Sequence, residues 1–156
     1  MNHPNPVPHQ APSRLNCLIL SIQGRKLLIP STVVAEVYSN LDTPAGGDGH
    51  FCYGWINWRE LRIPLVSLEA FLGGAPPALE RINRVAIVNA VDQAAPLRFF
   101  AVRLDSIPQS MPVTPSTRLV TSDDDNVLLE MELGRLRVAM PRLERVEARV
   151  AALSPA

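Results

Sequence analysis

The residues able to do chemistry in this chain are few, and most stand alone. Three histidines occur: His3 and His9 lie in the proline-rich opening "MNHPNPVPHQAPS", and His50 sits in the loop "PAGGDGH" with no cysteine or carboxylate at metal-ligand spacing. Without a usable histidine base, no serine, threonine or cysteine completes a nucleophile, base and orienter set. "SDDDN" (122–126) stacks three carboxylates but lacks the alternate spacing and following glycine of a calcium loop. It reads as a solvated loop that blunts the approach to a strand. "PAGGDG" has the glycines of a phosphate loop without the Gly-Lys-Ser/Thr ending, and no helix pattern opens after it, so it reads as a flexible connection. These absences lead us to expect no catalytic residues, no metal and no cofactor. The rival expectation is a small-ligand-binding or enzymatic β-barrel, with the "SDDDN" carboxylates or Glu36 as working groups.

The other chemistry-bearing stretch is "YGWINWRELRIPLVSL" (53–68), which places both tryptophans of the chain beside Arg59. If Gly54 to Arg59 is extended, Trp55, Asn57 and Arg59 share one face, while Ile56 and Trp58 share the other. Trp58 then belongs to the core. An indole, an amide and a guanidinium side by side form the residue mix enriched at binding hot spots. Two readings stay open. Either Trp55 covers a barrel mouth and Arg59 pairs with a neighbouring carboxylate, or both contact a partner.

The elements that must position these residues are mostly strands. "LNCLILSIQGRKLLIP" and "VLLEMELGRLRVAMP" each join two apolar runs around a Gly-containing turn and end at a proline, Pro30 and Pro141, the layout of β-hairpins. In the second, Leu129, Met131 and Leu133 alternate with Glu130 and Glu132, and Leu136, Val138 and Met140 with Arg135 and Arg137, which predicts one wet face. Further strands are predicted over 33–39, 53–59, 62–68, 84–91 and 97–104. Short strands punctuated by 15 prolines and 8 glycines in 156 residues point to small closed barrels rather than a parallel sheet. A helix is predicted near 141–153, where Leu143, Val146, Val150 and Leu153 recur at helical spacing.

Fifteen basic residues balance fifteen acidic ones, so no net field draws the chain toward nucleic acid or an anionic membrane. Cys17 and Cys52 fall in apolar strand-like settings and are expected to be buried structural thiols. No apolar run is long enough to span a bilayer and no signal-peptide order opens the chain, so a cytoplasmic protein is expected, without direct membrane insertion.

The pattern resembles the CheW-like domains of bacterial chemosensory arrays. The resemblance rests on "CLILSIQGRKLLIP", on "VVAEV" (33–37), and on "GWINWRELRIPLVSL", in which Gly54, Asn57, Arg59, Pro64 and Leu68 keep the family's order and spacing. It extends more loosely to about residue 150. It implies a mainly β fold of two small five-stranded SH3-like barrels on a shared core, with a C-terminal helix and no catalysis. The expected organisation is a tail over 1–13 and one domain over 14–153, with a first lobe near 15–75 and a second near 80–141. The implied function is a non-enzymatic adaptor coupling the cytoplasmic tip of a chemoreceptor to the CheW-like regulatory domain of a chemosensory histidine kinase. "LLIP" and "AEV" are similar to couplers of pilus-associated systems. Carried over residue by residue, Val34 and Glu36 match the strand used against the kinase. Gly54 and Arg59 match positions implicated in coupling, and Trp55 and Asn57 join them as candidate contacts. The family glycine after this arginine is Glu60 here, where a left-handed turn would strain a side-chain-bearing residue.

Overall fold

The computed structural model describes residues 14–92 and 96–153; the tail expected over 1–13 lies outside the described residues. Eleven strands and two helices follow one another: β1 (Leu15–Ile22), β2 (Arg25–Pro30), β3 (Val34–Asn40), β4 (Cys52–Trp58), β5 (Leu61–Val66), α1 (Leu68–Phe71), β6 (Asn83–Asn89), β7 (Phe99–Leu104), β8 (Gln109–Val113), β9 (Arg118–Val120), β10 (Val127–Leu133), β11 (Leu136–Pro141) and α2 (Leu143–Ala151). A single 3-10 turn (Ser31–Val33) links β2 to β3. Among the described residues no helix is long and apolar enough to cross a membrane.

The strands form two sheets, ordered β8-β1-β2-β11-β10-β9 and β3-β6-β7-β5-β4. Chain geometry forces the first to curl. Laid flat, its edges β8 and β9 would stand roughly 24 Å apart, yet the link from Val113 to Arg118 reaches at most about 17 Å. A turn bond from the Thr117 N–H to the Thr114 carbonyl, 3.0 Å, shortens it further. The second sheet closes through side chains. The Trp58 indole on β4 donates to Glu36 on β3 at 2.6 Å, and a flat sheet would hold those edges roughly 19 Å apart. The chain is therefore mainly β, two small barrels with a C-terminal helix.

The two lobes are not the two halves of the sequence. A division near 75–80 was expected, but β1 and β2 belong to the sheet that holds β8 to β11, and the second lobe is the central stretch β3 to β7. The two hairpins with similar sequence layouts lie in one sheet, with β2 and β11 paired in parallel at Leu27 and Ala139. That barrel also has six strands where five were expected, because β9 adds a short pairing to β10 at Val120, Leu119 and Arg118.

Three cores result. Cys17, Ile19, Leu28, Met131 and Val138 fill the six-stranded barrel. Ile56, Trp58, Ile63, Leu65, Val85, Ile87 and Ala101 fill the other. Between the lobes, Leu20, Ile22, Leu27 and Ile29 of one sheet meet Ala86, Val88, Phe100 and Val102 of the other, with Val146 and Val150 of α2. Strands β1, β2, β6 and β7 are thus buried on both faces, which is why their sequences run apolar without alternation. Both cysteines are free thiols and buried, and burial raises each above its ordinary range; for Cys52 a backbone hydrogen bond from Gly54 opposes this and the Asp48 carboxylate adds to it.

A buried ionic cluster also ties the lobes. Glu69 of α1, 5% exposed, accepts from the Gln23 N–H at 3.0 Å and from the Ser67 hydroxyl at 3.1 Å. Arg103 of β7 lies 3.4 Å from Glu69 and 2.7 Å from Asp105. Both buried charges of this cluster, Glu69 and Arg103, are paired, as burial demands.

Candidate partner-binding site

The side chains singled out by sequence come together where the edges of the five-stranded barrel meet. Among the described residues strand β3 pairs only with β6, so its other edge carries no ladder there. A bulge at Ala35 interrupts its register between Val34 and Glu36, a device common next to functional sites. Val34 is half-buried against the inter-lobe core, while Glu36 is half-exposed at the seam.

Across the seam, the β4–β5 hairpin turns in two residues, with Trp58 paired to Leu61. Arg59 and Glu60 have φ of +45° and +63°, the only residues other than glycine with positive φ among those described. Positive φ at both central positions is the type I′ pattern, which fits the right-handed twist of a hairpin and ordinarily uses Asn-Gly. The left-handed turn predicted to need glycine is thus present with Glu60 in the glycine's place. It aims Arg59 back at its own barrel: the guanidinium lies 3.6 Å from the Glu36 carboxylate and 4.9 Å over the Trp58 ring. Trp58 packs its ring on Phe99, with centroids 4.9 Å apart, and donates its indole N–H to the same Glu36 oxygen.

Trp58 and Ile56 therefore occupy the core as predicted, and the reading in which Arg59 pairs with a neighbouring carboxylate describes the geometry. Trp55 does not stand open beside Asn57 and Arg59: it is only 7% exposed. The segment 44–51, expected as a flexible connection, lies over β4 as a strap. Trp55 exchanges backbone bonds of 2.9 and 3.2 Å with Ala45. Asp48 accepts from the His50 and Cys52 N–H groups at 2.8 and 2.9 Å, and Arg149 of α2 stacks 4.2 Å over Phe51. Glycine makes the approach possible. A Cβ on Gly54, at φ +131°, would sit 2.9 Å from the Ala45 nitrogen, and one on Gly47, at φ +107°, 2.6 Å from the Cys52 carbonyl. The sequence signal was there in "PAGGDG", whose Gly47 serves close backbone packing and whose Asp48 caps the loop.

Asn57 is exposed; its side-chain oxygen accepts from Arg62 at 3.3 Å and its N–H reaches Asp42 at 3.4 Å. Tyr38, two residues beyond Glu36 on β3, has its phenol pushed up by burial and further by the Glu36 and Asp42 carboxylates. In the "SDDDN" loop, Asp124 accepts from the Asn126 N–H at 2.9 Å and Asn126 donates to the Phe71 carbonyl at 3.1 Å, bonds that shape a turn.

The arrangement offers groups suited to recognition: an unladdered strand edge, a carboxylate and a guanidinium in partial exposure, and an exposed amide beside them. A family model for the CheW-like domain matches residues 16–117, more than half of the chain. Among solved structures, the chain is similar to the scaffolding protein TtCheW from Thermoanaerobacter tengcongensis, with a TM-score of 0.67 and 18% identity over 92% of this chain and 91% of that one. That likeness speaks to the fold. No curated protein matches the sequence. On the family match, joined to the two-barrel fold and the seam between β3 and β4, the chain belongs to the CheW-like domain family.

Proposed function

We propose that the protein is a non-enzymatic adaptor of chemosensory signalling, which couples a chemoreceptor tip to a histidine kinase carrying a CheW-like regulatory domain. Membership of the CheW-like family supports an adaptor, and the related TtCheW is described as a scaffolding protein. The observation that carries the reading is the open edge of β3, flanked by Glu36 and Arg59. An unpaired edge can take a partner strand through main-chain bonds, and the flanking charges set which partner fits. In this reading Val34 and Glu36 meet the kinase domain, and Gly54, Asn57 and Arg59 belong to the hairpin that couples to the receptor. Trp55 contributes from beneath by holding the strap. The adaptor works in the cytoplasm at membrane-receptor arrays, in chemotaxis or in pilus-based motility.

The rival, a barrel using Glu36 or the "SDDDN" carboxylates for chemistry, gains nothing from the geometry, since Glu36 is engaged by Trp58 and Arg59. The test is titration of the full chain with the regulatory domain of a chemosensory kinase and with a receptor cytoplasmic fragment from the same cell. A ternary complex is expected, and Arg59→Glu, which sets two like charges against each other at the seam, should weaken it by about tenfold or more. Absence of any complex, or a complex indifferent to Arg59→Glu, would overturn the assignment.

A further inference from the structure

The second barrel surface with unsatisfied chemistry lies on the six-stranded lobe, away from the seam described above. Strands β2 and β11 share a single register pair, Leu27 with Ala139. On the Arg25 and Arg137 side of that pair no further register pair forms, and a cavity of about 570 Å³ is lined there by residues of both strands together with Ser21, Ser106 and Glu130. The glycine at its rim leaves the approach clear: a Cβ on Gly24 would meet no atom within 4 Å.

The charges lining the cavity are unequally committed. Asp105 is held by Arg103 at 2.7 Å. Glu130 takes both the Nε and an Nη of Arg137, at 3.0 and 2.6 Å. Arg25 reaches Glu130 only at 3.7 Å. Lys26 donates to the Ser21 hydroxyl at 2.7 Å and, among the described residues, makes no ion pair. An ammonium and a loosely held guanidinium therefore flank the opening, while both carboxylates already have closer partners.

We propose that this cleft docks an acidic peptide segment of a partner protein. A partner carboxylate completes the donor set of Lys26 and Arg25, and the main-chain groups of β2 and β11 beyond their one register pair give an extended main chain something to pair with. The volume favours a peptide, since it lies in the range of ligand clefts and far exceeds a single phosphate or carboxylate. The site is independent of the Glu36 and Arg59 seam, so a chain engaged there can bind here as well.

The test uses the full chain and a fluorescein-labelled oligoglutamate peptide, read by anisotropy and by amide NMR shifts. We expect saturable binding that weakens with added salt, shifts centred on 21–26 and 137–139, and a loss of about tenfold in affinity for Lys26→Glu. Lys26 is exposed, so this variant keeps the fold. Lys26→Arg should retain binding and Arg59→Glu should leave it unchanged, which separates failure here from failure of the adaptor reading. No binding, equal binding of an oligoglutamine peptide, full displacement by inorganic phosphate, or shifts confined to other strands would each overturn the proposal.

Discussion

The hairpins of the two barrels solve one turning problem with different residues. In the six-stranded barrel Gly24 and Gly134 supply the positive φ, +76° and +63°, which glycine adopts without a steric penalty. In the five-stranded barrel the β4–β5 turn takes +45° and +63° with Arg59 and Glu60, each conformation costing about 1 kcal/mol for a residue with a Cβ. Strain of this kind persists where surrounding contacts over-determine it. Here the contacts are the β4–β5 ladder, closed at Trp58 and Leu61, and the stacking of Arg59 on Trp58, which aim the guanidinium at Glu36. Glycine therefore takes the left-handed position in both hairpins of the six-stranded barrel, and its absence marks the hairpin whose turn residue itself is presented at the seam.

The comparison breaks most visibly at the glycines themselves. Gly54→Ala should destabilise the fold by about 3 kcal/mol or more, because a Cβ there combines left-handed strain with backbone clashes against the strap. Gly24→Ala, which adds a Cβ in open space, should cost only about 1 kcal/mol. Urea unfolding of the two variants checks this, and equal losses would mean that the strap does not rest on Gly54.

Next in size is the seam bond. Trp58→Phe keeps a ring against Phe99 but removes the 2.6 Å donor to Glu36, for an expected loss of about 2 kcal/mol, the range for a hydrogen bond to a charged group. A double-mutant cycle with Glu36→Gln isolates the pair; coupling indistinguishable from zero would mean that the barrel closes without it. The exposed Arg59–Glu36 ion pair should add little to stability.

Smaller, and opposite in sign, is Glu60→Gly. Relief of the left-handed strain should stabilise the chain by up to about 1 kcal/mol, less the extra freedom glycine gives the unfolded chain, or a rise in Tm of about 2–4 °C. A lower Tm would show that Glu60 makes a stabilising contact outweighing its strain.

How much of this was legible depended on how many faces of a strand are buried. The β10–β11 hairpin, with one wet face, could be read residue by residue: Met131 and Val138 lie inside and Glu130 and Arg137 pair across the outside. The doubly buried β1, β6 and β7 could be located but not oriented, since "CLILSI" and "VAIV" carry no period to assign a face. β8 and β9 went unread because edge strands need neither continuous apolar sequence nor a full set of N–H donors. Pro112 sits in β8, where an edge tolerates it. At the site, Trp58 in the core followed from period alone, and the strain at Glu60 from the family resemblance that puts a glycine at that position. Burial of Trp55 did not, because it depends on a contact between segments ten residues apart that only the glycines Gly47 and Gly54 hinted at.

The strap supplies the smallest effect and a pH signature. Burial by itself would raise the Asp48 carboxyl, but backbone bonds from Cys52, His50 and Phe51, with Arg149 nearby, outweigh it and hold the group below its ordinary value. A carboxyl lowered in the folded state contributes stability that is fully present above its unfolded value, about 4, and is lost as pH falls through the folded one. The loss is therefore confined to the acid limb, and it should be modest because Asp48 is largely open to solvent. In Asp48→Asn the urea midpoint should be slightly lower near neutrality and should fall less steeply below about pH 4, whereas a glycine-turned hairpin variant such as Gly24→Ala should keep the wild-type slope. An Asp48→Asn acid limb that overlays the wild type would mean that the strap is held by its glycine contacts and Arg149 alone, with the carboxylate a bystander.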